Sequence, residues 1–180
     1  MAPRNSKNNT DTLTRLYSRP GAAGSRAHQI SAAVFEDECQ ALALTPAQYG
    51  VLTVLQAHPG LGQSSLARAL GFDKVTVLRV LRGLQARGLV TRVPAEGSRR
   101  NMAVQLTAEG AEVLRQARKP ADRAYRRLMS ALAPAQQEQL LALLQLLVRD
   151  LEGHARAPFV PPGADAPEPP PVPALRRSRR

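Results

Sequence analysis

The chain has 180 residues and a formal charge of +11 at neutral pH, from 25 Lys and Arg against 14 Asp and Glu. One cysteine, Cys39, excludes an internal disulfide framework and a thiolate zinc site, and three scattered histidines suggest no metal centre. No apolar run approaches the roughly 18–20 residues of a membrane span, MAPRNSKNNTD holds no signal-peptide core, and a basic cytoplasmic protein with a polyanionic partner is expected.

Leu, Ala and Val dominate while aromatics are 3%, a composition of packed helices more than of a β-sandwich. Residues 1–12 are polar and aperiodic and read as a disordered arm. Within the region 13–44, residues 25–43 read as a helix with Ile30, Val34, Ala41 and Leu44 near one face. Thr45-Pro46 is a helix start, with Thr as cap and Pro in the first turn, and Tyr49, Leu52 and Leu55 share one side of the helix it opens. Pro59-Gly60 ends that helix. SSLARAL predicts a two-turn helix with Ser64 as its cap and Leu66 and Leu70 inside. Gly71-Phe72-Asp73 turns the chain, Asp73 caps KVTVLRVLRGLQAR, and Gly88 stops it.

That last helix has two faces. Val77, Val80, Leu81 and Leu84 recur at i, i+3, i+4, i+7 and belong to the core. The other side presents Val75, Leu78, Arg79 and Arg82, with Lys74 and Thr76 near the N-terminal end. Apolar residues there suit thymine methyls in a major groove, and the plain alternative is an amphipathic surface helix with two stray apolar residues. After Gly88, LVTRV and NMAVQLT flank PAEGSRR and read as a hairpin. Helix, turn, helix and hairpin is the winged helix-turn-helix order. Its second helix enters the major groove, while Arg99 and Arg100 at the wing tip suit the minor groove or backbone. Residues 63–105 hold eight basic and two acidic groups, which makes the basic field of the body local.

LTPAQYGVL, SSLARALGFDKVTVLRVLRGLQARGLVTRV and a wing ending in two arginines before VQLTAEG resemble the MarR family of bacterial transcriptional regulators. The resemblance covers residues 26–152 in family order. It implies a mainly α fold with a short two- or three-stranded β wing, in which a DNA-binding lobe (45–107) sits between N- and C-terminal dimerisation helices. Double-stranded DNA is the implied partner, with Ser64, Lys74, Val75, Thr76, Leu78, Arg79, Arg82, Arg99 and Arg100 as its contacts. Ser98 stands where that wing usually carries an acid two positions before its key arginine.

Residues 108–154 supply the remaining helices, the first with Pro120 at an expected bend. The second carries Leu140, Leu141, Leu143, Leu144, Leu146, Leu147, Val148 and Leu151, more than one helix needs to cover a small domain. A homodimer interface is the economical explanation, an unusually buried terminal helix the alternative. The resemblance implies a two-fold dimer on a pseudo-palindromic operator. It also implies a small anionic, often aromatic, effector. RLYSRPG and RAHQISAAVFEDEC are similar to a branch associated with aromatic acids or their acyl-thioesters, with Arg26 and His28 for a carboxylate and Phe35 and Tyr49 for an apolar wall. The plainer reading makes these two aromatics core residues, Arg26 a solvated or phosphate-contacting residue and His28 a packing residue.

Residues 155–180 hold eight of the fifteen prolines and finish in RRSRR. They read as a disordered basic tail, either solvated or touching DNA phosphates, the solvated reading being favoured. Cys39 lies beside Glu36, Asp37 and Glu38, which would raise its pKa, and an inert thiol is expected over a redox sensor. No P-loop, GxSxG elbow, HExxH or Rossmann glycine pattern occurs, so neither an enzyme nor a cofactor is expected. Besides the ligand-released repressor, two readings stay open: an architectural DNA-binding protein without an effector, and a dimeric interaction protein that reads no DNA.

Overall fold

A computed structural model of the chain describes residues 13–95 and 98–162, the side chains of 95–101 excepted. The expected arm at 1–12, the wing-tip residues 96–97 and positions 163–180 lie outside the described residues.

After a short helical stretch at 13–17, helix α1 (Pro20–Glu38) starts with Pro20 in its first turn, where the missing N–H costs nothing. It begins and ends five residues before the helix expected at 25–43. A 3-10 turn at Gln40–Leu42 follows, and Ala43 takes a left-handed φ of 46°. The break ends the 3.6-residue period. Ala41 is therefore exposed and Leu44 buried, while Ile30 stays 44% exposed, so the four residues do not form one buried face. The Arg87 guanidinium holds the turn by donating to the Ala43 and Leu42 carbonyls, both at 2.7 Å.

Helix α2 (Pro46–Ala57) opens with a reciprocal cap. Thr45 Oγ1 accepts from the Gln48 N–H at 3.3 Å, and the Thr45 N–H donates back to Gln48 Oε1 at 3.1 Å. Helices α3 (Gln63–Leu70) and α4 (Lys74–Ala86) come next, then an antiparallel hairpin of β1 (Val90–Ala95) and β2 (Ser98–Leu106) with Val90 opposite Leu106. A single bridge from Gly62 to Ala103 ties the hairpin to the start of α3, reinforced by the Val104 N–H donating to the Leu61 carbonyl at 2.9 Å. Val51, Leu52, Leu55, Leu66, Val77, Leu81, Leu84 and Val104 close one core beneath these elements, each 1% exposed or less.

Helix α5 (Ala108–Met129) runs on through Pro120 as one helix and adds Leu114 and Ala117 to that core. Its outer half meets α1 through charge. Arg123 Nε donates to Glu38 at 2.9 Å, and Arg127 pairs with Asp37. Gln137 closes the turn into α6 (Pro134–Leu151) by donating to the Met129 and Leu132 carbonyls at 3.1 and 3.0 Å. Along α6 no residue is buried. No helix among the described residues is long and apolar enough to cross a membrane.

Candidate nucleic-acid interface

The interface is built on α3, the turn and α4. Gly62, not Ser64, occupies the cap position of α3. Ser64 lies inside the first turn and is exposed. Gly71 takes φ 62°, the left-handed closure glycine adopts without a Cβ penalty, and the Phe72 N–H reaches back to the Ala67 carbonyl at 2.9 Å. Asp73 then caps α4 twice: Oδ1 accepts from the Thr76 N–H at 2.7 Å and Oδ2 from the Thr76 hydroxyl at 3.0 Å. These bonds favour the ionised carboxylate and hold Asp73 below its usual pKa, with Arg79 adding a smaller pull.

The four buried positions of α4 fix the orientation of the rest. With Val77, Val80, Leu81 and Leu84 in the core, the helix presents Lys74, Val75, Arg79 and Arg82 outward, Val75 being 77% exposed. Thr76 and Leu78 are half-buried at the edge of this surface, and the Thr76 hydroxyl is already engaged by Asp73. An exposed valine between exposed cations can give a groove-inserted helix both phosphate charge and a methyl-reading contact.

The hairpin stands beside α4. Val90 and Val104 face the core, and Arg99 and Arg100 fall on β2 with side chains outside the described residues. Two cations of the basic stretch are turned away from this surface. Arg87 is spent on the α1–α2 turn, and Arg92 is half-buried, its Nη2 enclosed without a hydrogen-bond partner.

A cleft of about 620 Å³ opens where α1, α2 and α4 meet, lined among others by His28, Glu36, Thr45, Gln48, Thr76 and Arg79. Of the four effector candidates, His28 lines this cleft. Arg26 is exposed and donates to Gln29 Oε1 at 3.0 Å. Phe35 and Tyr49 pack on each other, ring centroids 5.4 Å apart, against the core. Sequence reasoning missed Thr45, Gln48 and the double membership of Thr76 and Arg79. The only local signal was the Thr45–Gln48 spacing of a capping box.

Cys39 is 1% exposed. Burial pushes its thiol up, Arg123 pulls it down, and Glu38 adds a smaller rise, so enclosure outweighs the acidic neighbours in sequence. Glu112, an acidic residue on α5, accepts from Arg115 at 2.5 and 2.7 Å and from Gln116 at 2.8 Å. Its pKa falls to about 2, chiefly through Arg115, which suits an ion-paired surface and not a proton donor.

A capped second helix with a buried stripe and a basic outer face, backed by a hairpin, defines a winged helix-turn-helix fold. The MarR family pattern matches residues 44–101. The transcriptional regulator HosA of Escherichia coli is 31% identical over 105 residues, 58% of this chain and 78% of that protein. A putative transcriptional regulatory protein for the hcr operon of Thauera aromatica is 31% identical over 106 residues, 59% of this chain and 64% of its own length, so the chain spans just under two thirds of that relative. The transcriptional repressor CouR bound to a 23-mer DNA duplex is 32% identical, covers 74% of this chain and 95% of its own, and superimposes with a TM-score of 0.68. CouR bound to p-coumaroyl-CoA superimposes with the same TM-score at 31% identity, over 75% of this chain and 95% of its own. The chain belongs to the MarR family of transcriptional regulators, and such proteins are not enzymes.

Proposed function

We propose that the chain is a homodimeric, sequence-specific repressor that leaves a pseudo-palindromic operator when a small aromatic acid or aromatic acyl-thioester binds. The observation that carries the DNA half is the outer face of α4, where Lys74, Val75, Arg79 and Arg82 are exposed around a fully buried stripe. Lys74 and the wing arginines Arg99 and Arg100 position the duplex, while Arg79 and Arg82 read bases.

The dimer reading rests on α6. Eight apolar side chains from Leu140 to Leu151 are 39–54% exposed, an apolar surface that a lone soluble chain would not retain. The regions 13–44 and 108–154 are assigned to assembly and 45–107 to DNA. The protein acts in the cytoplasm, with its DNA.

Release rests on the cleft. Thr76 and Arg79 line it from the helix that faces DNA, so an anion drawn to Arg79 competes with the duplex for one guanidinium. His28 adds a donor on the opposite wall, and the p-coumaroyl-CoA complex of the similar CouR favours an aromatic thioester.

The test is fluorescence anisotropy on DNA from upstream of the gene against scrambled DNA, at about 150 mM salt, where specific regulators prefer their site by about 10³-fold or more. Arg79→Ala or Arg82→Ala is expected to cost roughly 1–3 kcal/mol of that preference. Aromatic acids and their thioesters are then added in turn. Equal, salt-sensitive binding to both DNAs would instead favour an architectural protein.

A further inference from the structure

The proline-rich stretch expected to leave the body at residue 155 first folds back on it. After α6, a 3-10 turn at Glu152–His154 redirects the chain, and the segment 158–162, PFVPP, forms a strap against the end of α3. Pro158, Pro161 and Pro162 fix φ and own no N–H. The two residues between them use both of theirs. The Phe159 N–H donates to Glu152 Oε1 at 2.7 Å, just past the end of α6, and the Val160 N–H donates to the Arg68 carbonyl at 2.8 Å. Arg68 lies in the last turn of α3, where the helix itself leaves carbonyls without a partner. The strap thus carries one bond to each of the two elements it joins.

It lands on the turn that aims α4. The Gly71 N–H donates to the same Arg68 carbonyl at 3.3 Å. The Phe159 side chain sits over Gly71, where an added Cβ would meet its Cβ and Cδ2 at 3.8 and 3.9 Å. Leu70 and Phe72, on either side of that glycine in the chain, line the cleft, and Asp73 then caps α4. Phe159 also borders a groove of about 500 Å³ with Leu144 and Val148, two of the exposed apolar residues of α6. Helix α6 has no buried residue, and Gln137 fastens its start to the end of α5. The strap fastens its other end to the lobe, so the direction of α4 is referred to α6 at both ends of that helix.

We infer that Phe159 is a positioning residue for DNA binding: the strap holds α4 at one angle to α6. In a dimer joined through α6, this fixes the separation and rotation of the two recognition helices. The inference rests on the proposed dimer and on the DNA-binding reading of α4. Phe159 acts through the Gly71 turn and reads no base. What it sets is the spacing between half-sites that the dimer accepts, because a freely hinged lobe would follow a displaced half-site and a held one does not.

Three duplexes test it with the full-length chain: the upstream stretch the protein protects, and the same stretch with one base pair inserted or removed midway between its half-sites. Each change moves one half-site by about 3.4 Å and turns it by about 35°. The wild type is expected to bind both altered duplexes at least about tenfold more weakly, whereas Phe159→Ala should spread less than about threefold over the three. Val160→Pro, which removes the N–H given to Arg68, should narrow the spread in the same direction, and Phe159→Tyr, which keeps the ring, should restore the wild-type spread. Phe159→Ala that weakens binding equally on all three duplexes would overturn the inference and leave the strap a stabilising contact alone. A wild-type spread in Phe159→Ala, or a wild-type chain indifferent to spacing, would overturn it as well. A wild-type chain that sediments as a monomer, or prefers none of these duplexes to scrambled DNA, would instead remove the reading beneath it.

Discussion

Leucine does opposite things at the two ends of this molecule. In the lobe, Leu52, Leu66, Leu81 and Leu84 are fully buried, and the basic surface of α4 is the complement of that burial. On α6, Leu141, Leu143, Leu144 and Leu147 are all more than half exposed, although their helix is as regular. Periodicity marks which positions are apolar, and it does not say whose side chains cover them. The lobe completes its core within one chain. Helix α6 carries apolar residues around much of its circumference, which a second copy of the chain would cover.

The largest expected effect breaks that contrast from the α6 side. Leu144→Asp together with Leu147→Asp should turn the proposed dimer into a monomer in sedimentation velocity. Operator affinity should fall toward the nonspecific level, by about 10³-fold or more, as two half-sites can no longer be held by one particle. Circular dichroism should stay helical, since neither side chain supports the lobe. A variant that still sediments as a dimer would place the interface elsewhere. Next comes the lobe side. Leu81→Ala should cost about 2–5 kcal/mol in chemical denaturation, whereas Leu144→Ala should act mainly through the concentration dependence of Tm.

A smaller effect probes the joint between the lobe and α5. Gly110, in the first turn of α5, is buried under the Leu89 backbone, and a methyl group there would collide with the Leu89 carbonyl and the Leu106 side chain. Gly110→Ala should destabilise by about 1–3 kcal/mol, the usual range for overpacking. Unchanged denaturation would mean that α5 can shift away from β1 without loss.

Legibility in the sequence tracks the range of the interactions involved. Thr45, Asp73 and Gly88 mark their helix ends because capping uses neighbours in the chain, and the stripe of α4 identifies its own outer face. The end of α1 was not legible. It depends on a left-handed Ala43 held by Arg87, forty-four residues away, and no local rule announces that pairing. The cleft was hidden for the same reason, since α1, α2 and α4 each supply one wall, and the strap because PFVPP has no period to read.

The smallest expected effect concerns the cap that starts α4. Thr76 donates both its N–H and its hydroxyl to Asp73, and these two bonds are the main causes that lower the Asp73 pKa. The folded value thus lies below the unfolded one. The unfolded chain takes up the proton first, so the cap's contribution is fully present above the unfolded value and is lost as pH falls through the folded one. Glu38 is depressed as well, by Arg123 and Arg127, and Glu112 by Arg115, so the wild-type curve alone mixes all three groups. Asp73→Asn isolates the Asp73 share, because asparagine still caps through one oxygen but does not titrate. The variant should melt slightly below the wild type at neutral pH, and the gap should close on acidification below the usual carboxylate range. A gap that stays constant would show that the charge on Asp73 contributes nothing beyond its hydrogen bonds. Closure would tie the order of the first turn of α4, with Lys74 and Val75, to one exposed carboxylate.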